Sequence, residues 1–357
     1  MPTNQPALRV AFLPAHPSQL WMLRAVADHL AGRAEPVWIL RDKDVLLALA
    51  DHFGLAYRVL SKASPNLFRA AFMLLTDTLR VWRLSKREHL DAWVTKYGPG
   101  NLGARLRGLP TLSFNDDDAD VVPLVAWTSY PFAHRVLATR WTRMGRFEPG
   151  AIHYPGFHEL FYLHPNRFSP DPAIRGELGL GSDEPFALIR LSALTAHHDV
   201  GVRGVDDSLL AEIVRRCANH RVRPVISGER PLSGEFEPYR FRIPAHRIHH
   251  ALAAATLFVG DSQTMTAEAA VLGTPALRLN DFVGRIGYLA ELERRALAFG
   301  YRPDQTDALL AHIESLLTRG DAHDEFARRR ARLLAECPDP VPWFAEQIMT
   351  VIGEAPR

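Results

Sequence analysis

Short apolar runs alternate with amphipathic helical patterns along most of the chain, and this alternation limits the possible folds more than any other feature. Apolar runs such as Leu8–Leu13 and Phe186–Leu191 are followed by stretches with helical periodicity, for example Ser18–Leu30 and Asp207–Cys217. Short strands separated by longer helices are typical of parallel sheets, whose strands must be joined by crossover helices. The sequence therefore predicts an α/β protein.

The alternation occurs in two blocks. The chain has 357 residues, which is too long for a single hydrophobic core. The pattern pauses in a proline-rich stretch, about 153–172, and resumes with the strand pattern at Phe186. We therefore predict an N-terminal domain over residues 1–168, a C-terminal domain over 169–338 and a final helical segment over 339–357.

Composition argues against several classes of protein. Lys and Arg number 42 and Asp and Glu number 40, so the formal net charge is only +2, whereas nucleic-acid-binding proteins carry a basic excess. Two cysteines, Cys217 and Cys337, are too few for a disulfide framework or a cysteine-built metal site. No apolar stretch is long enough to span a membrane, and the N-terminus does not resemble a secretory signal. We expect a cytoplasmic protein.

The segment Asn66–Leu84 has a different pattern. Large apolar residues are spread around the helix, and Arg69, Arg80 and Arg83 are interspersed among them. One interpretation is a core helix whose arginines extend to water. The other is a surface helix that contacts lipid or a lipid-linked molecule, which would place the protein peripherally at the inner face of a membrane.

The most informative segment is Phe258–Leu279. A strand pattern ends at Gly260, a short polar turn follows, and a helix begins directly after it. Free backbone N–H groups and the helix dipole make such a helix start an anion site, here suited to a diphosphate. The alternative is that the polar residues only cap the helix and the glutamate one turn later is a solvated charge. The residues concerned are Asp261, Ser262, Gln263 and Thr264 for the diphosphate and Glu268 for ribose hydroxyls.

This segment resembles the nucleotide-sugar motif of the UDP-N-acetylglucosamine 2-epimerases, in which a strand leads into Asp-Ser-Gly-Gly and two glutamates follow on the helix. Asp261 and Ser262 match that motif, and Glu268 falls on its ribose-binding glutamate. Gln263 and Thr264 stand where the motif has glycines. The chain is more similar still to a family of uncharacterised bacterial and archaeal proteins that resemble these epimerases. The matching segments are HPSQ (16–19), RDKD (41–44), SFNDDDAD (113–120), YPGFHELFYL (154–163), AHHD (196–199), GDSQTMTAEAAVLGTP (260–275) and DFVGRIGYLAELE (281–293).

The resemblance implies the glycosyltransferase-B fold, which has two Rossmann-like domains facing across a cleft, with the nucleotide held by the C-terminal domain. In that fold a C-terminal helix commonly crosses back to the first domain, as we expect of 339–357. Two epimerase motifs are not preserved. FNDDDAD (114–120) and LIRLSALTAHHD (188–199) stand where segments of the His-Val-Glu-Ala-Gly and His-Arg-Arg-Glu-Asn types would lie. A glycosyltransferase needs fewer specific catalytic groups than an epimerase does. It needs a base for the acceptor hydroxyl and positive charge for the departing diphosphate.

His16 is the leading candidate for that base. It lies between the first strand and the first helix, so its ring is expected over the carboxyl end of the sheet, where α/β proteins bind ligands. An imidazole pKa of about 6.5 suits proton abstraction near neutral pH. Asp116 and Asp117, in an acidic turn after a strand, are expected to polarise His16 or to bind acceptor hydroxyls. A loop-capping histidine and a helix-capping turn are the alternatives.

Further candidate ligands lie near the ends of other strands. Arg190, at the end of the first strand of the C-terminal domain, is expected to bind the diphosphate through its guanidinium. The candidates for the nucleobase or ribose are Ser227, Gly228, Glu229 and His246. The candidates for the sugar or the acceptor are Lys96, His197, His198, Asp281 and Arg285. We expect no metal ion, since enzymes of the fold that the chain resembles are generally metal-independent.

These features predict a nucleotide-sugar-dependent glycosyltransferase of surface-polysaccharide or glycoconjugate synthesis. Its donor would be a UDP-sugar, its acceptor a glycan or a lipid-linked molecule, and it would require no cofactor. The choice of uridine as the nucleoside of the donor is implied by the family resemblance alone. A UDP-N-acetylhexosamine 2-epimerase is the alternative, and a non-catalytic protein that binds sugar nucleotides is a third hypothesis.

Overall fold

A computed structural model describes residues 7–43, 45–62, 67–192, 204–228 and 230–354. The chain divides into two units. The N-terminal unit comprises Met1–Tyr162 together with Pro338–Arg357, and the C-terminal unit comprises Leu163–Cys337. Each unit contains one sheet of parallel strands with helices, so the chain has the predicted α/β class.

The strands are short, as the apolar runs predicted. In chain order they are β1 (Leu8–Leu13), β2 (Ala34–Asp42), β3 (Tyr57–Lys62), β4 (Ala92–Thr95), β5 (Thr111–Asn115), β6 (Arg135–Thr139), β7 (Ala151–Tyr154), β8 (Phe186–Leu191), β9 (Arg223–Gly228), β10 (Leu257–Gly260), β11 (Ala276–Leu279) and β12 (Ala298–Tyr301).

Helices connect most of these strands. They are α1 (Pro17–His29), α2 (Leu46–His52), α3 (Leu67–Arg87), α4 (Gly98–Leu106), α5 (Pro123–Ser129), α6 (Leu160–Leu163), α7 (Ile174–Glu177), α8 (Asp207–Asn219), α9 (Ile248–Ala254), α10 (Gln263–Leu272), α11 (Gly287–Arg294), α12 (Thr306–Thr318), α13 (Ala322–Glu336) and α14 (Pro340–Glu354). Three short 3-10 helices lie at Tyr130–Phe132, Gly145–Gly150 and Gly234–Tyr239. Among the described residues, no helix combines the length and the apolar character needed to cross a membrane.

The N-terminal sheet has the order β3-β2-β1-β4-β5-β6-β7, and every neighbouring pair is parallel. Its inner strand β4 is buried along its whole length, as expected when helices cover both faces of a sheet. The carboxyl ends of parallel strands lie at one edge of their sheet. That edge is where the chain continues into His16 after β1, Lys96 after β4 and Asp116 after β5.

The final helix, α14, belongs to the N-terminal unit. It packs against α1 and β5, and Phe344 is fully buried. The Phe344 ring lies 5.9 Å from the ring of Phe114 in β5 and 5.3 Å from that of Phe161. An ion pair of 2.5 Å between Arg33 and Glu346 adds a contact at the surface. Segment 338–357 therefore contributes to the hydrophobic core of the unit in which the chain began.

The C-terminal sheet has the order β12-β11-β10-β8-β9 and is also parallel throughout. Gly260 ends the central strand β10 and pairs with Arg190 of β8. A Cβ atom at Gly260 would lie only 2.7 Å from the carbonyl oxygen of Arg190. Glycine therefore allows the two strands to approach each other immediately before the turn into α10.

Three strands were not predicted from the sequence, namely β6, β7 and β12. β7 and β12 lie at the edges of their sheets, and three of the four residues in each are only half-buried. They therefore lack the continuous apolar run by which strands were recognised. β7 also extends into the stretch 153–172 that was expected to be irregular. β6 is mostly buried, but it begins with Arg135 and is followed by Arg140. These charged residues obscure its apolar run in the sequence.

Candidate functional site

The carboxyl edge of the C-terminal sheet leads into the start of α10. Asp261 and Ser262 form the turn after β10, and α10 begins at Gln263. Ser262 is the N-cap residue, and its Oγ accepts a hydrogen bond from the Met265 amide at 3.3 Å. Within the described parts of the chain, no group accepts a hydrogen bond from the amide of Gln263 or Thr264. These amides lie at the positive end of a helix of 10 residues and are able to bind an anion.

Asp261 holds this turn in place. It is buried, and its Oδ1 accepts a hydrogen bond from the Ser192 amide, directly after β8, at 2.8 Å. Its carbonyl oxygen accepts from Nδ2 of Asn280, directly after β11, at 2.9 Å. Burial raises the pKa of Asp261, although its hydrogen bonds with Ser192 oppose this effect. Asp261 thus connects the ends of three neighbouring strands, and the structure gives it a positioning role at the predicted diphosphate site.

Arg190 and Ser227, both predicted from the sequence, lie together on adjacent strands. Arg190 Nη1 donates to Ser227 Oγ at 2.9 Å. The carbonyl oxygen of Arg190 also accepts from the Asp261 amide at 3.4 Å, so the residue lies next to the turn that starts α10. The guanidinium is held on the β9 side of β8, so it places a cation near the carboxyl edge of the sheet that leads into α10.

Glu268 lies one turn into α10, on the buried side of the helix. It is 4% exposed, and its Oε1 is 3.0 Å from Nε2 of His249 in α9, which is 2% exposed. Glu268 is therefore not the solvated charge of the alternative interpretation. A ribose that reached this carboxylate would also meet His249, which joins the candidate residues. The contact with ribose stays a prediction.

The remaining candidates of the C-terminal unit are less closely connected to α10. Gly228, at the end of β9, and His246, shortly before α9, are half-buried. Asp281 is half-buried, whereas Arg285 is exposed and lies with its guanidinium 5.5 Å from the ring centre of Phe282. Glu229, His197 and His198 lie outside the described residues.

A pocket lies beside the turn that starts α10. Its volume is about 350 Å³, and Ser192 and Asp261 contribute to its lining from the strand ends. Asp206 and Thr306, at the starts of α8 and α12, line it from the other side. Cavities of roughly 300–1,000 Å³ are typical of small-molecule sites. This edge of the sheet therefore offers room for part of a nucleotide.

In the N-terminal unit, Lys96 lies between two carboxylates. Its Nζ is 2.9 Å from Asp117 Oδ2 and 3.4 Å from Asp116 Oδ1. Burial lowers the pKa of Lys96, but the two carboxylates outweigh burial and raise it well above its ordinary value. Burial raises the pKa of Asp116, but Lys96 and other neighbouring groups outweigh this effect and lower it to about 2. Lys96 and Asp116 are therefore both charged near neutral pH.

The acidic turn after β5 is shaped by its own side chains. Asn115 Oδ1 accepts hydrogen bonds from the amides of Asp116 and Asp117 at 3.0 and 3.2 Å. Asp118 is fully buried, accepts from the Arg143 amide at 2.8 Å and pairs with the Arg143 guanidinium at 2.5 Å. No side chain caps the following helix α5. The turn is therefore not the helix cap of the alternative interpretation.

His16 is the N-cap residue of α1 and is half-buried. Its Nδ1 lies 2.8 Å from Ser18 Oγ and 3.3 Å from the Ser18 amide nitrogen. The ring therefore caps the helix, as the alternative interpretation described. When Nδ1 carries the hydrogen and donates it to Ser18 Oγ, the lone pair of Nε2 is able to take a proton. Nδ1 cannot then accept from the Ser18 amide, so the cap on that amide and proton abstraction by Nε2 require different tautomers of the neutral ring.

His158 is a candidate that the sequence patterns did not reveal. It is 2% exposed, and neither ring nitrogen meets hydrogen-bond geometry with a described residue. Burial lowers the pKa of His158, and the nearby Asp116 opposes this effect. The signal that could have found it was its place in YPGFHELFYL (154–163), one of the segments that carry the family resemblance.

No metal centre is apparent in the described ranges, where no three His, Cys, Asp or Glu side chains are grouped to hold an ion. Both cysteines, Cys217 and Cys337, are buried free thiols. The described cationic groups near the predicted sites include those of Lys96, Arg190 and Arg230, together with the start of α10.

No known family profile matches the sequence, and no curated protein matches it significantly. Solved structures match it over nearly its whole length. A UDP-N-acetylglucosamine 2-epimerase from Rickettsia bellii is 14% identical with a TM-score of 0.59, and the match covers 96% of this chain and 98% of that chain. The spinosyn forosaminyltransferase SpnP is 15% identical with a TM-score of 0.64, covering 97% and 100%. MnaA of S. aureus with UDP is 11% identical with a TM-score of 0.59, covering 93% and 99%.

These similarities at low identity concern the fold. An epimerase, a glycosyltransferase and MnaA are each matched over at least 93% of this chain, and each unit of this chain is a parallel α/β unit. The chain therefore has the glycosyltransferase-B fold, with two Rossmann-like domains, and it is similar in that fold to UDP-N-acetylglucosamine 2-epimerases and to glycosyltransferases.

Proposed function

We propose that this chain is a nucleotide-sugar-dependent glycosyltransferase that acts in the synthesis of a surface polysaccharide or glycoconjugate. The observation that carries the proposal is the start of α10. There the amides of Gln263 and Thr264 have no acceptor in the described parts of the chain, and Arg190 lies on the adjacent strand. A donor diphosphate is an anion that such a group of donors would bind. The likeness in fold to SpnP supports group transfer as the reaction.

In this proposal the start of α10 stabilises the departing diphosphate. Charge develops on the leaving oxygen as the glycosidic bond breaks, and fixed amide dipoles stabilise that charge without having to reorient. Arg190 adds a full positive charge. Glu268 and His249 receive the ribose hydroxyls. Uracil is the proposed base because MnaA, a protein of the same fold, was solved with UDP.

The N-terminal unit would supply the acceptor chemistry. His16 Nε2 would take the proton of the acceptor hydroxyl in the tautomer whose Nδ1 donates to Ser18 Oγ, and the Ser18 amide would give up its hydrogen bond to Nδ1 in that state. Lys96, Asp116 and Asp117 would bind further hydroxyls of a glycan or lipid-linked acceptor. The proposed reaction needs no metal or cofactor, because the helix start and Arg190 supply the positive charge.

A UDP-N-acetylhexosamine 2-epimerase is the second candidate, and one observation favours it. Lys96, Asp116 and the nearby His158 form a group of titratable side chains within the N-terminal unit. Epimerisation requires a proton to be removed and replaced at sugar carbon 2, or the diphosphate to be eliminated, without a second substrate. A non-catalytic binding protein is the third candidate, and it would use the α10 site without depending on His16.

Thermal unfolding with UDP, GDP and CMP tests the donor site. A ligand present at 100 times its dissociation constant stabilises the folded state by about 2.7 kcal/mol, so binding gives a visible shift. We expect UDP to raise the melting temperature of the wild type and Arg190→Ala to reduce that rise. Arg215→Ala, at an exposed position on α8, is the matched control and should retain the full shift. No shift with any nucleotide would contradict the proposal, as would an undiminished shift in Arg190→Ala.

Product analysis separates the three candidates. A transferase releases UDP from a UDP-sugar at an appreciable rate only when an acceptor is present, and His16→Asn should remove most of that release. An epimerase converts UDP-N-acetylglucosamine, or hydrolyses it, with no acceptor. A binding protein shows the melting shift and neither reaction.

A further inference from the structure

Helix α3 carries a stripe of exposed large apolar side chains. Phe72 is 67% exposed, Leu75 68%, Leu79 51% and Trp82 38%. At 3.6 residues per turn, these four positions lie within an arc of about 80° on one side of the helix. A contiguous exposed apolar patch of this kind marks an interaction surface.

The opposite side of α3 is firmly packed. Val81 is fully buried within a hydrophobic cluster of the N-terminal unit. Asp77 is fully buried as well and accepts hydrogen bonds from Ser61 Oγ at 2.6 Å and from the Tyr97 hydroxyl at 2.9 Å. Since these contacts fix the rotation of the helix, the stripe faces away from the core of its own unit.

The exposed charges described on α3 are all positive. Its one acidic residue, Asp77, is the buried one. Arg83 and Lys86 are exposed and continue the stripe at its C-terminal end. Directly after α4, which packs against α3, the guanidinium of Arg107 lies 5.6 Å from the ring centre of Trp82. Apolar and aromatic side chains bordered by basic ones are the pattern of helices that lie in a membrane interface.

We propose that the stripe Phe72–Trp82 docks on the surface of an anionic lipid bilayer. The apolar side chains would enter the boundary between headgroups and acyl chains, and the basic residues beside them would bind lipid phosphates. Charge favours lipid over a second copy of this chain, because two copies would bring together faces whose described exposed charges are all positive. The proposal does not depend on the nucleotide site or on the reaction proposed above.

Vesicle sedimentation tests the contact with the full chain. We expect the protein to bind phosphatidylcholine vesicles that contain phosphatidylglycerol and to bind pure phosphatidylcholine much less. Leu75→Glu with Leu79→Glu should lower the partition coefficient by about tenfold or more, because two side chains that enter the lipid are lost. Val45→Glu, at an aliphatic side chain that is 47% exposed elsewhere in the same unit, is the matched control and should bind as the wild type does. Circular dichroism confirms that each variant is folded.

A second variant tests whether the basic side chains beside the stripe contribute to vesicle binding. Arg83→Gln with Lys86→Gln should weaken binding to the anionic vesicles by about 25-fold at low salt, since each basic residue near an anionic surface contributes about a fivefold factor. Equal binding to neutral and anionic vesicles would overturn the proposal, and so would unchanged binding of the Leu75/Leu79 variant.

Light scattering tests the alternative that the stripe contacts a second copy of this chain. A wild-type dimer that Leu75→Glu with Leu79→Glu converts to a monomer, together with no vesicle binding, would assign the stripe to contact between copies and overturn the lipid proposal. The UDP-dependent melting shift is measured on the same variants. A variant that keeps the shift and loses the vesicles separates this surface from the nucleotide site.

Discussion

At the scale of single residues, Lys96 lies between the carboxylates of Asp116 and Asp117. Lys96→Met keeps much of the side-chain volume but leaves two neighbouring carboxylates without their cation. We expect the free energy of unfolding to fall by roughly 2–3 kcal/mol, because breaking a partly buried ion pair leaves uncompensated charge. Urea unfolding measures the change. Arg33→Met removes a solvent-exposed pair with Glu346 and serves as the control, which should cost far less. Equal losses in the two variants would contradict the proposed contribution of Lys96 to stability.

The ion pair of Lys96 with Asp116 also predicts that the free energy of unfolding depends on pH. The pKa of Asp116 is lowered from 3.8 to about 2, since Lys96 outweighs burial. The folded carboxylate stays ionised where the unfolded one takes up a proton, so this contribution to stability is complete above about pH 4 and is lost as the pH falls through about 2. We expect the difference in unfolding free energy between the wild type and Lys96→Met to shrink by roughly 2 kcal/mol over that range. A difference that does not change with pH would disprove this linkage.

For His158, unlike Asp116, the folded state favours the neutral form of the side chain. Burial lowers its pKa, so the folded ring stays neutral where the unfolded one takes up a proton, and stability falls as the pH drops below about 6.5. His158→Phe retains an aromatic ring against Phe114 and removes this loss. We expect the unfolding free energy of the variant to change less than that of the wild type between about pH 7.5 and pH 5.5. His29→Phe, at an exposed histidine, should leave the wild-type dependence in place.

These residues also show what the sequence could and could not predict. The start of α10 was predictable because a strand, a polar turn and a helix are contiguous in the chain. The ion pairs of Lys96 join residues that follow different strands, and no local pattern encodes which acidic side chain lies beside it. The position of His158 near Asp116 depends on the path of the chain after β7, a strand with no continuous apolar run.

At the scale of elements, the close approach of β8 and β10 depends on Gly260. A Cβ atom there would lie 2.7 Å from a backbone oxygen of Arg190, which cannot move without shifting the strand. We expect Gly260→Ala to lower the unfolding free energy by roughly 1–3 kcal/mol, as overpacking does, and to weaken any binding at the start of α10. Gly176→Ala is the matched control, since a Cβ atom there would have no neighbour within 4 Å. Equal stability of the two variants, measured in urea, would show that the strands can separate at little cost.

The elements that the sequence predicted share a simple property. Inner strands such as β4 and β10 are buried along their whole length and therefore read as apolar runs. Edge strands need apolar residues on fewer sides, so β7 and β12 carry little signal. For α3, the sequence left a core helix and a surface helix open. The structure shows one buried side and one exposed apolar side, which the arginines between them made hard to separate in the sequence.

At the scale of the whole molecule, the N-terminal unit requires the end of the chain. Phe344 of α14 is fully buried and contacts the rings of Phe114 and Phe161. We expect Phe344→Ala to cost about 3–5 kcal/mol through the cavity it leaves. Thr350→Ala, at an exposed position of the same helix, should cost much less. Urea unfolding compares the two, and a small loss in Phe344→Ala would mean that α14 is dispensable for the N-terminal core.

The order of the units along the chain has a consequence for synthesis. Leu163–Cys337 forms a unit of its own, whereas the unit that begins at Met1 is completed only by Pro338–Arg357. On the ribosome, the middle of the polypeptide can therefore reach its folded state while the first half still lacks its last helix. The N-terminal unit therefore waits for segment 338–357, which must leave the exit tunnel before the first core closes.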